Sequence, residues 1–243
     1  MLISLQTLLL KLLDFKVLLE KLLTYKLALA ISLLFCTELA VAAPEPTQEC
    51  AAANRITKTF KSGASWKMCT EMRPEEGLVV SQVYYAAPKK KARRVLGEAR
   101  LSQIETVFDN ASLGSKYVIT QQGLGKNVLN LTPNDCVNGN LKTVASSTSS
   151  ICRSTQDYGY QYKYTNQRQG SFFELLTSYH LAPRTFSLRW RFYENGIIEP
   201  ALGISGQLPQ ANSTTPENFT DHVAWRLDFD LGGSGANDQI LEV

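Results

Sequence analysis

The chain has 243 residues and a formal charge of +3 at pH 7. Apolar residues make up 44% and charged residues 19%, a balance ordinary for a globular protein and without the charge excess of a strongly basic nucleic-acid binder. The length fits one domain plus a leader, or two small domains.

The first 43 residues differ from the rest. A Leu-rich stretch with scattered charges leads into an unbroken apolar run, Leu27–Cys36, and then into "AVAAPEP" with small residues at Ala40 and Ala42. A basic flank, a short apolar run and a small-x-small site describe a secretory signal peptide cut after Ala42 or Ala43. The run is shorter than the roughly 18 apolar residues a membrane span needs. An uncleaved leader would be the alternative, anchoring the protein to a membrane. A secreted or periplasmic location is therefore expected, with residues 44–59 a polar approach and 60–243 the folded domain.

Without the leader, 21 basic and 19 acidic residues remain. That balance predicts no nucleic-acid partner. The one dense basic run is "PKKKARR", Pro88–Arg94, read as a solvated hairpin tip, with a patch for an acidic partner as the alternative. Four cysteines also remain: Cys50, Cys69, Cys136 and Cys152. In an exported chain they suggest two disulfides with three possible pairings, of which the local Cys50–Cys69 and Cys136–Cys152 are favoured. Asn110, Asn130, Asn212 and Asn218 each open an N-x-S/T triplet.

Elements follow in order. Gly77–Tyr85 is rich in β-branched and aromatic residues and reads as a strand. "RRVLGEARLSQIETVF" is a strand running into a loop, or carries a short helix; its periodicity does not decide. Residues 109–150 read as loop with "KYVIT" as a short strand. Asp157–Asn166 alternates aromatic and polar residues, and "SFFELLTSYHL" reads as a further strand. Next, Phe186, Leu188, Trp190 and Phe192 fall on one face of a strand that ends at Asn195-Gly196, a two-residue hairpin signal with φ > 0 expected at both central positions. In the returning "IIEPALGIS", Pro200 marks an edge or bulge. In the last strand Val223, Trp225, Leu227, Phe229 and Leu231 share a face. Short strands, turn signals and no long helical period predict an all-β, antiparallel β-sandwich.

The order "SWKMCTEMRPEEGLVVSQVYY", "RRVLGEARLSQIETVF", "GLGKN", "NDC", "IC", "DYG", "WRFYENGIIEP", "SGQL", "WRLDFDLGGSGAND" resembles the catalytic β-sandwich domain of copper amine oxidases, over roughly residues 60–243. The resemblance implies a partial form of that sandwich and a disulfide between Cys136 and Cys152. It also implies further strands and a third copper ligand beyond Val243. Family members oxidise primary amines to aldehydes, releasing hydrogen peroxide, with copper and a quinone made from one of their own tyrosines.

Each part of that chemistry has an implied position here. The quinone-precursor tyrosine falls on Arg184, and Tyr179 nearby would need a shift of several residues. The catalytic Asp falls near Val118, with Asp109 the nearest carboxylate upstream. Of the H-x-H copper pair, His222 matches the second member and Thr220 stands at the first. Only one other histidine occurs, His180, so three imidazoles cannot come from this sequence. The reading is a catalytically inactive, amine-oxidase-like protein with a binding or structural role and no cofactor. A small amine could rest against Tyr158, Tyr160 and Tyr164, and a homo-oligomer is expected. The alternative is an amine oxidase with displaced or partner-supplied ligands, in which His222 is the candidate metal ligand and copper and the tyrosine-derived quinone are the cofactors.

Overall fold

The structure is a computed structural model that describes residues 50–143, 150–206 and 218–230. The leader, residues 44–49, Asn212 and Leu231 lie outside the described residues. The described part is two antiparallel sheets. The first holds β1 (Arg55–Thr59), β2 (Ser65–Arg73), β3 (Gly77–Ala86), β4 (Arg93–Phe108) and β11 (Phe219–Phe229) in that order, with β5 (Ser115–Tyr117) also paired to β4. The second is a meander in the order β10-β9-β8-β7-β6: β6 (Gly139–Lys142), β7 (Ile151–Lys163), β8 (Gln167–Leu181), β9 (Arg184–Tyr193) and β10 (Ile198–Ser205). The sandwich begins before residue 60, because Arg55–Thr59 pairs with Ser65–Cys69 and buries Ile56.

β4 is one continuous strand, and its ambiguity in the sequence has a physical cause. The register with β11 skips Ser102 and Gly97. Each bulge puts two residues opposite one, so the core-facing positions run Leu96, Ala99, Leu101, Ile104, Thr106 and Phe108. Two of those steps span three residues, which blurs a period of two. "KYVIT" is corrected. The strand stops at Tyr117, and Val118–Gln122 forms one helical turn, α1, closed by Gly123 at φ +74°. Burial of Val118 and Ile119 overrides their β preference.

The hairpin after Trp190 stands, but its turn differs. Glu194–Gly196 forms a three-residue loop: Gly196 N–H donates to the Tyr193 carbonyl and Tyr193 N–H to the Ile197 carbonyl. Only Gly196 has positive φ, at +95°. That is the type I turn followed by a left-handed glycine that three-residue hairpins favour. Pro200 sits in β10, an edge strand, where its missing N–H costs no ladder bond.

The core lies between the sheets. Phe186, Leu188, Trp190 and Phe192 are all buried, facing Trp66, Met68, Leu78, Val80 and Leu101. The Trp66 ring stands 5.3 Å from Phe192 and 4.6 Å from Tyr85, and its indole N–H donates to the Tyr193 carbonyl at 2.8 Å. Each such ring contributes about 1.5–3 kcal/mol by leaving water. The disulfides Cys50–Cys69 and Cys136–Cys152 are both formed, as expected from their local spacing.

Candidate functional site

Arg184 opens β9 just after the Ala182–Pro183 turn. It lies two residues before Phe186, so alternation points it inward with the apolar face of its strand. It is only 4% exposed. Opposite it, β11 presents Asp221 and β4 presents Thr106, which are register partners. One guanidinium nitrogen, Nη2, donates to Asp221 Oδ2. The other donates to Asp221 Oδ1 and to Thr106 Oγ1, both at 3.1 Å. Thr106 Oγ1 in turn donates to Asp221 Oδ1 at 2.7 Å. The rings of Phe186 and Phe219 flank the guanidinium, each 5.3 Å from its central carbon. A bidentate, charge-assisted pair thus bridges the two sheets in a half-dry setting.

Val118, at the start of α1, is buried beside it. Val118, Thr106, Pro183, Arg184 and Phe186 line one small cavity of about 80 Å³. Ligand pockets typically measure about 300–1,000 Å³. The positions that the resemblance implies for the quinone tyrosine and for the catalytic base therefore do meet in space. What meets there is a guanidinium already held by a carboxylate, and an isopropyl group that takes no proton.

His222 is not brought to this place. Asp221 points at Arg184, so its neighbours Thr220 and His222 project to the other face of β11, and both are exposed. His222 sits opposite Glu105. His180 lies on β8, exposed, with its Nδ1 3.2 Å from Thr185 Oγ1. Among the described residues no group of three or more His, Cys, Asp or Glu side chains converges on a point. These residues do not fit a copper ion held by three imidazoles.

The remaining candidates have structural surroundings. Tyr179 is fully buried; its oxygen accepts the Leu78 N–H at 2.8 Å, and burial pushes the phenol well above its ordinary range. Asp109 is exposed in the loop after β4. Tyr158 packs 5.1 Å from Tyr193, above Gly170. The face of Tyr160 is occupied by the chain's own Lys163 ammonium, 4.7 Å from the ring centre, whereas Tyr164 is 92% exposed. Asn110, Asn130 and Asn218 are all exposed.

No family model and no curated protein matches the chain. Solved structures do. A copper-containing benzylamine oxidase from Hansenula polymorpha superposes with a TM-score of 0.54 at 15% identity, over 79% of this chain and 36% of that one. The Pichia pastoris lysyl oxidase PPLO superposes with a TM-score of 0.55 at 13% identity, over 81% of this chain and 31% of that one. The fold is a partial amine-oxidase-like β-sandwich. This chain spans about a third of the length of the structures it matches. Identities this low show architecture and leave the chemistry to the residues.

Asp221 and Thr106 were missed from sequence, although a signal existed. Asp221 lies two residues before Val223, in phase with the apolar face of β11. Arg184 is in phase with the apolar face of β9. Opposite charges in phase with two core faces are the mark of a buried pair across a sandwich. The two disulfides fit an oxidising, extracellular setting, and no helix among the described residues is long and apolar enough to cross a membrane.

Proposed function

We propose that this chain is an exported, amine-oxidase-like β-sandwich with a binding or structural role and no amine-oxidase activity of its own. The observation that carries the reading is Arg184. It stands where the resemblance implies the quinone-forming tyrosine, and it is locked to Asp221 and Thr106 across the sheets. A guanidinium cannot be oxidised to a quinone, and its partner carboxylate is engaged in neutralising it. Beside it Val118 supplies no general base. The cavity they share measures about 80 Å³, far below the roughly 300–1,000 Å³ typical of a ligand pocket, and the Arg184 guanidinium in it already bonds Thr106 and Asp221. The aromatic hairpin at Trp190 is scaffold on this reading, since its rings fill the core.

The test uses the purified, disulfide-bonded protein soaked in copper(II). A colourless product without stoichiometric copper, without hydrogen peroxide on addition of benzylamine, and with cooperative unfolding is expected. Near-stoichiometric copper together with a visible quinone band and peroxide release would overturn the proposal.

A further inference from the structure

A second and much larger cavity lies away from Arg184. It measures about 840 Å³ and opens between the β1–β2 turn, the β3–β4 turn, the facing parts of β7 and β8, and the Glu194 turn. Three cations line it: Lys58, Lys61 and Arg168. Two acids also line it, and both have partners within the fold. Glu194 is only 7% exposed, and its Oε1 accepts from Gln161 at 3.3 Å and from Arg168 at 3.5 Å. Asp157 accepts the Ser171 hydroxyl at 2.9 Å.

The basic run singled out in the sequence joins this rim. Pro88 lines the cavity and approaches Gly63 of the β1–β2 turn. From Pro88 the chain turns tightly, with Lys90 N–H donating to the Ala87 carbonyl at 2.9 Å and Lys89 at φ +61°. Lys89, Lys90 and Lys91 are all exposed at that tip. With Arg168 paired to Glu194, Lys58 and Lys61 stand against Asp157 in the lining, and the three exposed lysines of the tip carry the rest of the positive excess on this rim. An excess of positive charge on one rim raises a potential that attracts an anion. A single small anion would reach only part of such a spread, whereas an extended polyanion reaches all of it. Thr155, Ser62 and Gln169 add hydroxyl and amide groups to the lining, suited to sugar hydroxyls. This choice of polyanion rests on the exported reading, which the disulfides fit: in an extracellular setting the abundant polyanions are sulfated or carboxylated glycans.

We propose that this cavity and the Lys89–Lys91 tip form a docking surface for an acidic polysaccharide. The proposal stands apart from the amine-oxidase reading, since it uses none of the residues around Arg184. The test is calorimetric titration of the disulfide-bonded protein with a heparin-derived hexasaccharide. A neutral dextran hexasaccharide, a duplex DNA of equal charge and anionic lipid vesicles serve as comparisons. Binding of the sulfated sugar at low salt is expected, weakening about tenfold between 50 and 200 mM salt as the field is screened. The K58E/K61E variant should weaken it about tenfold or more, and so should K89A/K90A/K91A, whose changes sit on an exposed turn and leave the thermal melt unchanged. Absence of binding at low salt, unchanged affinity in the hairpin variant, or equal affinity for DNA or vesicles would overturn the proposal.

Discussion

Removing the Asp221 carboxylate should destabilise the protein out of proportion to its position at a sheet edge. In Asp221→Ala the Arg184 guanidinium stays buried and retains only Thr106 Oγ1 as a hydrogen-bond partner. An uncompensated buried charge costs about 3–5 kcal/mol. Because the Asp221 side chain keeps 17% exposure, water can reach part of the site, and the lower end, about 3 kcal/mol, applies. For a domain of this size that lowers the melting temperature by roughly 6–12 °C. Arg184→Met alone should cost a similar amount, since it strands the carboxylate. The double variant Arg184→Met/Asp221→Leu should recover most of the loss, because it removes both charges together, leaving about 1 kcal/mol for the Thr106 hydroxyl that loses both partners. Equilibrium urea unfolding under non-reducing conditions, run as a double-mutant cycle on Arg184→Met, Asp221→Leu and their combination, reads the coupling directly. A cost below about 1 kcal/mol for Asp221→Ala would mean that the pair behaves as an exposed one, and the account of the site would fail. Additivity of the two single changes would refute it equally.

Other outcomes follow from the same packing. Gly125→Ala would place a Cβ 2.0 Å from the Arg73 carbonyl oxygen, a backbone atom, and should cost about 1–3 kcal/mol in urea unfolding. Gly170→Ala meets instead the ring of Tyr158, at 2.2 Å, which can swing away. Its cost should be smaller, with a change in near-ultraviolet circular dichroism. Burial holds the Tyr179 phenol protonated in the native state, whereas in the unfolded chain it ionises near pH 10. The stability from this group is therefore complete below pH 10 and is lost as pH rises above it. Tyr179→Phe should flatten that alkaline decline by about 1.4 kcal/mol per pH unit, while losing about 1 kcal/mol at pH 7 for the unmet Leu78 N–H. Replacing both Cys136 and Cys152 by Ala opens a loop of 16 residues in the unfolded chain's favour and should cost about 3 kcal/mol in the same assay.

Much of the sandwich was legible where one face alternates cleanly and a turn residue ends it. β9 shows this best: four apolar residues at a spacing of two, followed by a loop closed by Gly196. Pro200, with no N–H to donate, marked an edge or a bulge, and the structure makes β10 an edge. The two disulfides followed from short separations, since a local loop brings its ends together at little entropic cost. β4 was hidden because its bulges at Gly97 and Ser102 break the period on which the reading depends. α1 was hidden because Val118 and Ile119 carry strand propensity, and only the burial found for them in the folded chain reverses it.

The amino-acid sequence by itself determined the all-β class and the alternation of the main strands. These are local properties: side-chain type, a repeat of two and the conformational demands of glycine and proline. Tertiary structure alone decided that Arg184 and Val118 share a cavity, that His222 faces away from it, and that Lys58 and Lys61 on one sheet meet Arg168 on the other. Those partners are far apart along the chain. Nothing local sets their distance, because their approach depends on how two twisted sheets pack and on where the bulges shift the register.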